Sequence, residues 1–471
     1  MFEYKQIIVP SEISTRVYKF KNKLIRAYIS NEKSHEFLLL GGVTAKLWEF
    51  LLTNPTREDL LDFAKKLKIC SELDDFLCEL ENLGLIKFES NNNNIPTQTY
   101  YNVIEINNYS EAEEKRTLKF YSSMLEWLIK HGFMQRLFIE LTYKCNLKCI
   151  HCFNDKDDNK KELKFSELKP IIDEAYNLGV FNIVLSGGEA TLAKDFLKTA
   201  KYIREKRISL EVYTNGQTLY DNPKLLNELI NLFPYRISLS LYSLNPDVHD
   251  KVTGVKGSQY KTIEVIKKLK ENNILVGIKC FLTKYNANEY IELKKFAKNN
   301  GLSMSVDCKF VNNPSRNNNN VRVTNKQLLE LYTNPKSLLR IKKPLIKYSE
   351  DFFNGPLCYA GYMGLAVDPN LGVYCCPTLK IKLGQIGKES LSSIWNSQNT
   401  DSPLTKIRGT KHKDLKECWK NEYCKYCIYC PGMAFLENKY NKKYKPFCND
   451  AKCRMKAAMI NSKIKKNDKH K

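Results

Sequence analysis

The chain lacks any run of about 18 consecutive apolar residues, which excludes a transmembrane helix. Its start, Met-Phe-Glu-Tyr-Lys-Gln, has no basic segment leading into an apolar stretch, so no secretory signal is expected. Acidic side chains are in deficit: 52 Asp and Glu face 75 Lys and Arg, leaving a formal charge of +23. An apolar fraction of 43% is too high for a disordered chain. What remains is a globular protein of 471 residues, room for roughly two to four domains. The positive charge suits an anionic partner, although a bias toward Lys, Asn, Ile and Tyr would produce the same excess.

Cysteine is plentiful, at sixteen residues. Without an export signal the expected compartment is the reducing cytoplasm, where many thiols point to metal more than to disulfides. The thiols are also unevenly placed. Cys145, Cys149 and Cys152 form a tight trio. Nine more crowd the last quarter: Cys358, Cys375, Cys376, Cys418, Cys424, Cys427, Cys430, Cys448 and Cys453. Cys70, Cys78, Cys280 and Cys308 are isolated and read as packing residues.

Periodicity divides the chain. Residues 1–90 give short β-like stretches (Thr15–Phe20, Lys23–Ile29, Glu36–Leu40), then helices at Gly42–Leu52, Arg57–Leu67 and Ser71–Leu83, then a strand at Leu85–Phe88. That order is a winged helix-turn-helix. Residues 91–135 read as a linker and a helix (Glu111–His131). From 136 to 345, six apolar strand segments alternate with helices, which implies a parallel sheet with right-handed crossovers. Residues 346–460 are loop-rich and need staples, and 461–471 form a basic tail.

Functional groups of such a sheet belong at the C-terminal ends of its strands. The trio follows the first strand, Leu137–Leu141, with spacing C-x3-C-x2-C. Three thiolates can hold three corners of a four-iron cube and leave one iron open. Zinc is the alternative, but it prefers paired C-x2-C units or added His, and His151 lies between two cysteines, where it is badly placed.

The trio's spacing resembles that of the radical S-adenosylmethionine (radical SAM) enzymes. Three further segments strengthen the resemblance. Gly187-Gly188-Glu189 follows the second strand, Thr214-Asn215-Gly216 the third, and Ser240 ends the fourth. The resemblance implies a partial (β/α)6 barrel. It implies that Cys145, Cys149 and Cys152 hold a [4Fe-4S] cluster. It also implies that Gly187, Gly188, Glu189, Asn215 and Ser240 contact S-adenosylmethionine, with the Glu189 carboxylate suited to its ammonium. His249-Asp250-Lys-Val-Thr253-Gly254 departs from the family pattern, because Thr253 stands where an Arg is common.

Cys424-Lys-Tyr-Cys427-Ile-Tyr-Cys430-Pro431 has ferredoxin-like spacing, and zinc is again the alternative. With Cys358 and Asp368–Cys376 it resembles the SPASM extension of radical SAM enzymes. The resemblance implies two auxiliary [4Fe-4S] clusters, three clusters in all. Their ligands would come from Cys358, Cys376, Cys418, Cys424, Cys427, Cys430, Cys448 and Cys453, with the division open and Cys375 a spare or a substitute for Cys376.

A winged unit binds DNA or a peptide strand. Residues 1–90 carry thirteen basic and fourteen acidic side chains, net −1, so no nucleic-acid partner is expected. Leu39-Leu-Gly41-Gly-Val-Thr44-Ala45-Lys-Leu-Trp48, with Leu73, Phe76, Leu80 and Gly84–Ile86, resembles PqqD-like domains of peptide-modifying enzymes. That implies a leader-binding groove between a strand near Lys19–Ile29 and the third helix. Together the resemblances imply a maturase of ribosomally made precursor peptides, most often of the sactipeptide or ranthipeptide thioether type. It would be fed electrons by ferredoxin or flavodoxin. Epimerisation, C–C crosslinking, sulfatase-type oxidation and an Fe–S DNA-binding regulator are the alternatives.

Overall fold

A computed structural model describes residues 6–20, 24–89, 124–152, 154, 161–308, 321–337, 339–341, 344, 347–415, 420, 422–427, 429–441 and 448–467. The N-terminal unit is a three-stranded antiparallel meander of β2 (Ile13–Phe20), β3 (Leu24–Asn31) and β4 (Glu36–Gly41), preceded by β1 (Gln6–Ile8). Helices α1 (Gly42–Leu51), α2 (Arg57–Leu67) and α3 (Leu73–Asn82) follow. Thr56 caps α2 by accepting from the Asp59 N–H at 3.2 Å, and Lys68 ends it in the left-handed conformation. Trp48, Leu51, Leu60, Leu77 and Leu80 make a separate small core, and the Trp48 indole donates to Thr15 Oγ1 at 2.9 Å.

Two details differ from the sequence reading. The closing strand β5 (Lys87–Glu89) pairs with β1, a three-residue strand too short to show a period. Cys70 is exposed instead of packed.

Six parallel strands follow: β6 (Arg136–Thr142), β7 (Asn182–Gly187), β8 (Ser209–Thr214), β9 (Arg236–Ser240), β10 (Val276–Phe281) and β11 (Ser303–Asp307). They lie in sequential order, each parallel to the next. Leu137, Ile139, Leu141, Ile183, Leu185, Leu210 and Val212 are fully buried under the helices. The sheet does not stop at β6. The C-terminal segment adds β12 (Gly364–Val367) parallel to β6, then the antiparallel strands β13 (Gly372–Tyr374) and β14 (Lys382–Gln385), giving nine strands. Gly364 permits the join, since a Cβ there would lie 1.9 Å from Arg136 O.

The N-terminal unit docks at the N-terminal ends of the barrel strands. Tyr18 donates to Gly179 O at 2.7 Å, just before β7. Arg204 and Arg207, ahead of β8, donate to the carbonyls of Ser11 (3.0 Å), Pro10 (2.6 Å) and Val9 (2.7 Å). Phe37 meets Tyr235, ahead of β9, with ring centroids 6.5 Å apart. Tyr18, Tyr28, Trp127 and Phe181 form an aromatic seam between the unit, the helix at 124–131 and the barrel. The rest of the expected 111–131 helix lies outside the described residues.

At the other end of the chain, Asn461 is not part of a free tail. It lies in the Cys448–Asn467 helix, buried, and its amide donates to Tyr332 O (3.1 Å) and Ile341 O (2.7 Å). Among the described residues no helix is long and apolar enough to cross a membrane.

Candidate functional site

The loop after β6 carries the trio, and three neighbouring segments clamp it. The Gly188 N–H donates to Thr142 O at 2.7 Å and the Glu189 N–H to Lys144 O at 2.9 Å. Glycine is required here. A Cβ on Gly187, at φ +131°, would lie 2.3 Å from Thr142 O, and one on Gly188 would lie 2.5 Å from Lys144 O. From the opposite side, Lys148 N donates to Thr253 O (2.8 Å) and Ile150 N to Val252 O (3.0 Å). Val252 and Thr253 thus hold the cysteine loop itself.

Glu189 and Asn215 also act inside the protein. The Glu189 carboxylate is buried and accepts from Thr191 Oγ1 (2.6 Å), Thr191 N (3.2 Å), Thr214 Oγ1 (2.6 Å) and Asn215 N (2.6 Å). Burial raises its pKa against those donors. Asn215 Nδ2 reaches Asn146 Oδ1 at 2.7 Å and Cys145 Sγ at 3.8 Å. These two side chains therefore tie the ends of β7 and β8 to the cysteine loop. Three of the Glu189 donors go to Oε1, while Oε2 accepts only the Asn215 N–H and keeps acceptor capacity for a ligand ammonium.

The trio fits an iron–sulfur cluster. Cys145 and Cys152 both act electrostatically on Cys149, and Cys152 on Cys145, so the thiols face one region. Cys145 Sγ accepts the Leu147 N–H at 3.5 Å, a contact that favours thiolate. Burial pushes the Cys145 thiol up to about 11 and Cys149 higher still, so a bound metal is needed to hold both as thiolates.

A cavity of about 300 Å³ opens at the C-terminal ends of the strands, lined by His151, Ser240, Tyr242, Lys279, Phe281 and Asp307 on the barrel side. Thr378 and Met433 of the C-terminal segment complete it. His151 stacks on Phe281 (centroids 4.8 Å) and meets Tyr242 edge-on (4.8 Å); burial pushes its pKa down to about 4, so it is neutral. Buried Tyr242 interacts electrostatically with Cys149, and Ser240 favours the ionised form of Tyr242, which links cavity and trio. In the cavity wall, Lys279 lies 3.9 Å from the Tyr213 ring centroid, and burial lowers its pKa. Glu211 resists its burial because Arg236, at 2.9 Å, and Arg136 hold it ionised.

Three of the C-terminal cysteines come together. Cys358, Cys376 and Cys430 act on one another electrostatically. Cys358 Sγ accepts the Ala360 N–H (3.3 Å) and Cys376 Sγ the Leu379 N–H (3.2 Å), the same pattern as Cys145. Cys375 sits in the apolar core with its Sγ against Gly361, and burial pushes its thiol up to about 12. Cys424 and Cys427 are both buried, with the Cys448–Asn467 helix packed on their turn and its Cys453 buried. Cys418 lies outside the described residues, as does the Cys448 side chain.

Sequence reasoning missed one feature that joins the barrel to this segment. Lys380 Nζ meets Glu140 Oε2, and the ammonium lies 5.1 Å from the Tyr374 ring centroid and 5.8 Å from that of Tyr143. The available signal was a lone carboxylate in the apolar strand Arg-Leu-Phe-Ile-Glu-Leu-Thr.

Two family models match the chain: the radical SAM superfamily over residues 139–297, and an iron-sulfur cluster-binding domain, SPASM, over residues 358–431. The chain is a radical SAM enzyme. It uses S-adenosylmethionine and iron–sulfur clusters of the radical SAM and auxiliary kinds. Among curated proteins it is similar to the antilisterial bacteriocin subtilosin biosynthesis protein AlbA of Bacillus subtilis, 26% identical over 64% of this chain and 68% of that protein. It is also similar to the mycofactocin maturase MftC of Mycolicibacterium smegmatis, 27% identical over 50% of this chain and 63% of that protein. Among solved structures, Streptococcus suis SuiB bound to precursor peptide SuiA superposes with a TM-score of 0.51 at 20% identity, covering 91% of this chain and 96% of that one. That likeness supports the whole three-part fold.

Proposed function

We propose that this radical SAM enzyme matures a ribosomally made precursor peptide, most often by joining a Cys sulfur to a carbon of another residue. The observation that carries the reading is β4. Among the described residues it pairs only with β3, and Leu39 on it and Val43 beside it are each 40% exposed. An edge strand flanked by apolar side chains suits an added peptide strand. β3 is flanked on both sides, so the edges of the meander are β2 and β4, and β2 is turned toward the barrel, its Thr15 N–H donating to Arg207 O at 2.9 Å. The curated relatives AlbA and MftC, a bacteriocin biosynthesis protein and a maturase, support the same reading. DNA binding finds no support in a unit of net charge −1.

In this reading Cys145, Cys149 and Cys152 hold one cluster, with Gly187, Gly188 and Ser240 lining the S-adenosylmethionine site and Glu189 and Asn215 fixing its walls. Cys358, Cys376 and Cys430 serve a second cluster, and Cys418, Cys424, Cys427, Cys448 and Cys453 supply a third. When bound, the radical cluster and S-adenosylmethionine supply a 5′-deoxyadenosyl radical that removes a hydrogen atom from the substrate. The chain's own residues position the peptide, with Lys279 and Asp307 offering opposite charges in the cavity. The test is mass spectrometry of a Cys-containing precursor encoded beside the gene. Thioether formation removes two hydrogens per crosslink and protects that Cys from alkylation. C–C crosslinking leaves the thiol alkylatable, and epimerisation leaves the mass unchanged. An unaltered precursor would defeat the proposal.

A further inference from the structure

The outer face of the radical-cluster loop carries a basic patch that none of the site chemistry uses. Lys148 lies between Cys145 and Cys149 and is exposed. Its backbone bond to Thr253 and the close approach of Gly254, whose Cβ would lie 3.1 Å from Lys148 Cβ, bring it beside Lys251 and Lys256, both also exposed. Among the described residues none of the three forms an ion pair, although Lys251 lies 4.1 Å from the Tyr285 ring centroid.

Nearby carboxylates are mostly occupied. Asp250 accepts from the Gly257 N–H, from Ser258 Oγ (2.8 Å) and from Gln259 N (3.0 Å). Asp221 pairs with Lys261 at 2.7 Å, which leaves Asp247 as the exposed acid of the Pro246–Thr253 helix that carries Lys251. An aromatic anchor adjoins the lysines. Tyr260 is 56% exposed and packs edge-on against Tyr220 at 5.8 Å, and the helix bearing Tyr220 is tied to the loop by Asn146 Nδ2 to Thr218 Oγ1 at 3.3 Å. Basic residues around an exposed aromatic are a common recognition surface for an acidic protein.

We propose that Lys148, Lys251, Lys256 and Tyr260 dock the acidic one-electron carrier, a flavodoxin or ferredoxin, over the radical cluster. Electron transfer falls steeply with distance, and this surface lies on the loop that holds the trio. One electron leaves the carrier, which is oxidised by one, and enters the iron–sulfur cluster, which is reduced by one; no atom moves. A peptide fits the patch less well, because none of these residues lines the cavity. The inference rests on the radical SAM assignment but not on the identity of the peptide, because S-adenosylmethionine cleavage can be followed without one.

The test compares the reconstituted enzyme with a Lys251→Glu, Lys256→Glu variant, using a purified flavodoxin of net negative charge. Calorimetry at low salt should show its affinity falling about tenfold or more, with a flatter salt dependence. Flavodoxin-driven cleavage should fall in parallel, while dithionite-driven cleavage stays within about twofold. Tyr260→Ala, which leaves the charge and the loop alone, should weaken binding at every salt concentration. Unchanged flavodoxin affinity in both variants overturns the proposal. So does a loss of precursor-peptide affinity with flavodoxin binding intact.

Discussion

Lys380 places its ammonium 2.6 Å from the Glu140 carboxylate, joining two residues 240 positions apart. Burial raises the Glu140 pKa and Lys380 opposes the rise. Removing the lysine alone would strand a buried acid. Lys380→Met should cost about 3–5 kcal/mol, read as a fall in melting temperature of the reconstituted protein. Adding Glu140→Gln should recover part of that loss. Additive losses would show that the pair is not coupled.

Gly188→Ala tests the clamp on the trio. The added methyl would meet Lys144 O at 2.5 Å and Tyr143 O at 2.6 Å, so the loop must move. The expected outcome is loss of about four of roughly twelve irons, with the auxiliary clusters kept. Full iron content in the variant would show that the clamp is dispensable.

The two thiol groups proposed for the auxiliary clusters should lose metal independently. Cys430→Ala is expected to disturb the cluster of Cys358 and Cys376, and Cys424→Ala the other. Each single variant should drop by about four irons and the pair by about eight. An equal loss in the single and double variants would merge the groups.

These groups show where local sequence stops being informative. The strands and helices of the barrel were legible because apolar segments alternate with amphipathic ones. The clamp glycines were legible because they follow strands. The helix at Pro246–Thr253 was missed, although Asn245 followed by Pro246 is a start signal. The pairing of β12 with β6 and the Lys380–Glu140 contact depend on tertiary placement, which no local period encodes. Glu189 and Asn215 were legible as motif residues, but their partners Thr214 and Cys145 were not, because those contacts join separate segments.

His249 gives a pH-dependent stability. It is buried, its Nδ1 accepts the Tyr242 N–H at 3.2 Å, and its Nε2 has no partner among the described residues. Burial pushes its pKa down to about 4. The unfolded chain therefore binds the proton more readily. Stability is complete above about pH 6.5 and falls as the pH drops toward 4, by up to about 3 kcal/mol. His249→Asn keeps an acceptor but does not titrate, so its melting temperature should fall less over that range.

The N-terminal unit proposed to take the leader and the cavity lie at opposite ends of the strands. The seven residues of β6 span about 23 Å, so the substrate needs at least roughly seven extended residues between the bound leader and the first modified position. Shortening that spacer stepwise should leave leader affinity intact while turnover collapses. Turnover with no spacer would relocate the leader.

β12 also decides what a shortened protein can be. An arc of parallel strands ends in a row of backbone N–H and C=O groups, and on the β6 side that row is filled by Gly364–Val367. Cutting the chain ahead of residue 364 would bare β6, four of whose seven residues (Leu137, Phe138, Ile139 and Leu141) are apolar, as a template for another chain's strand. The C-terminal segment is therefore a chaperone-like cover for the barrel's own edge, and the smallest soluble piece of this enzyme should include it.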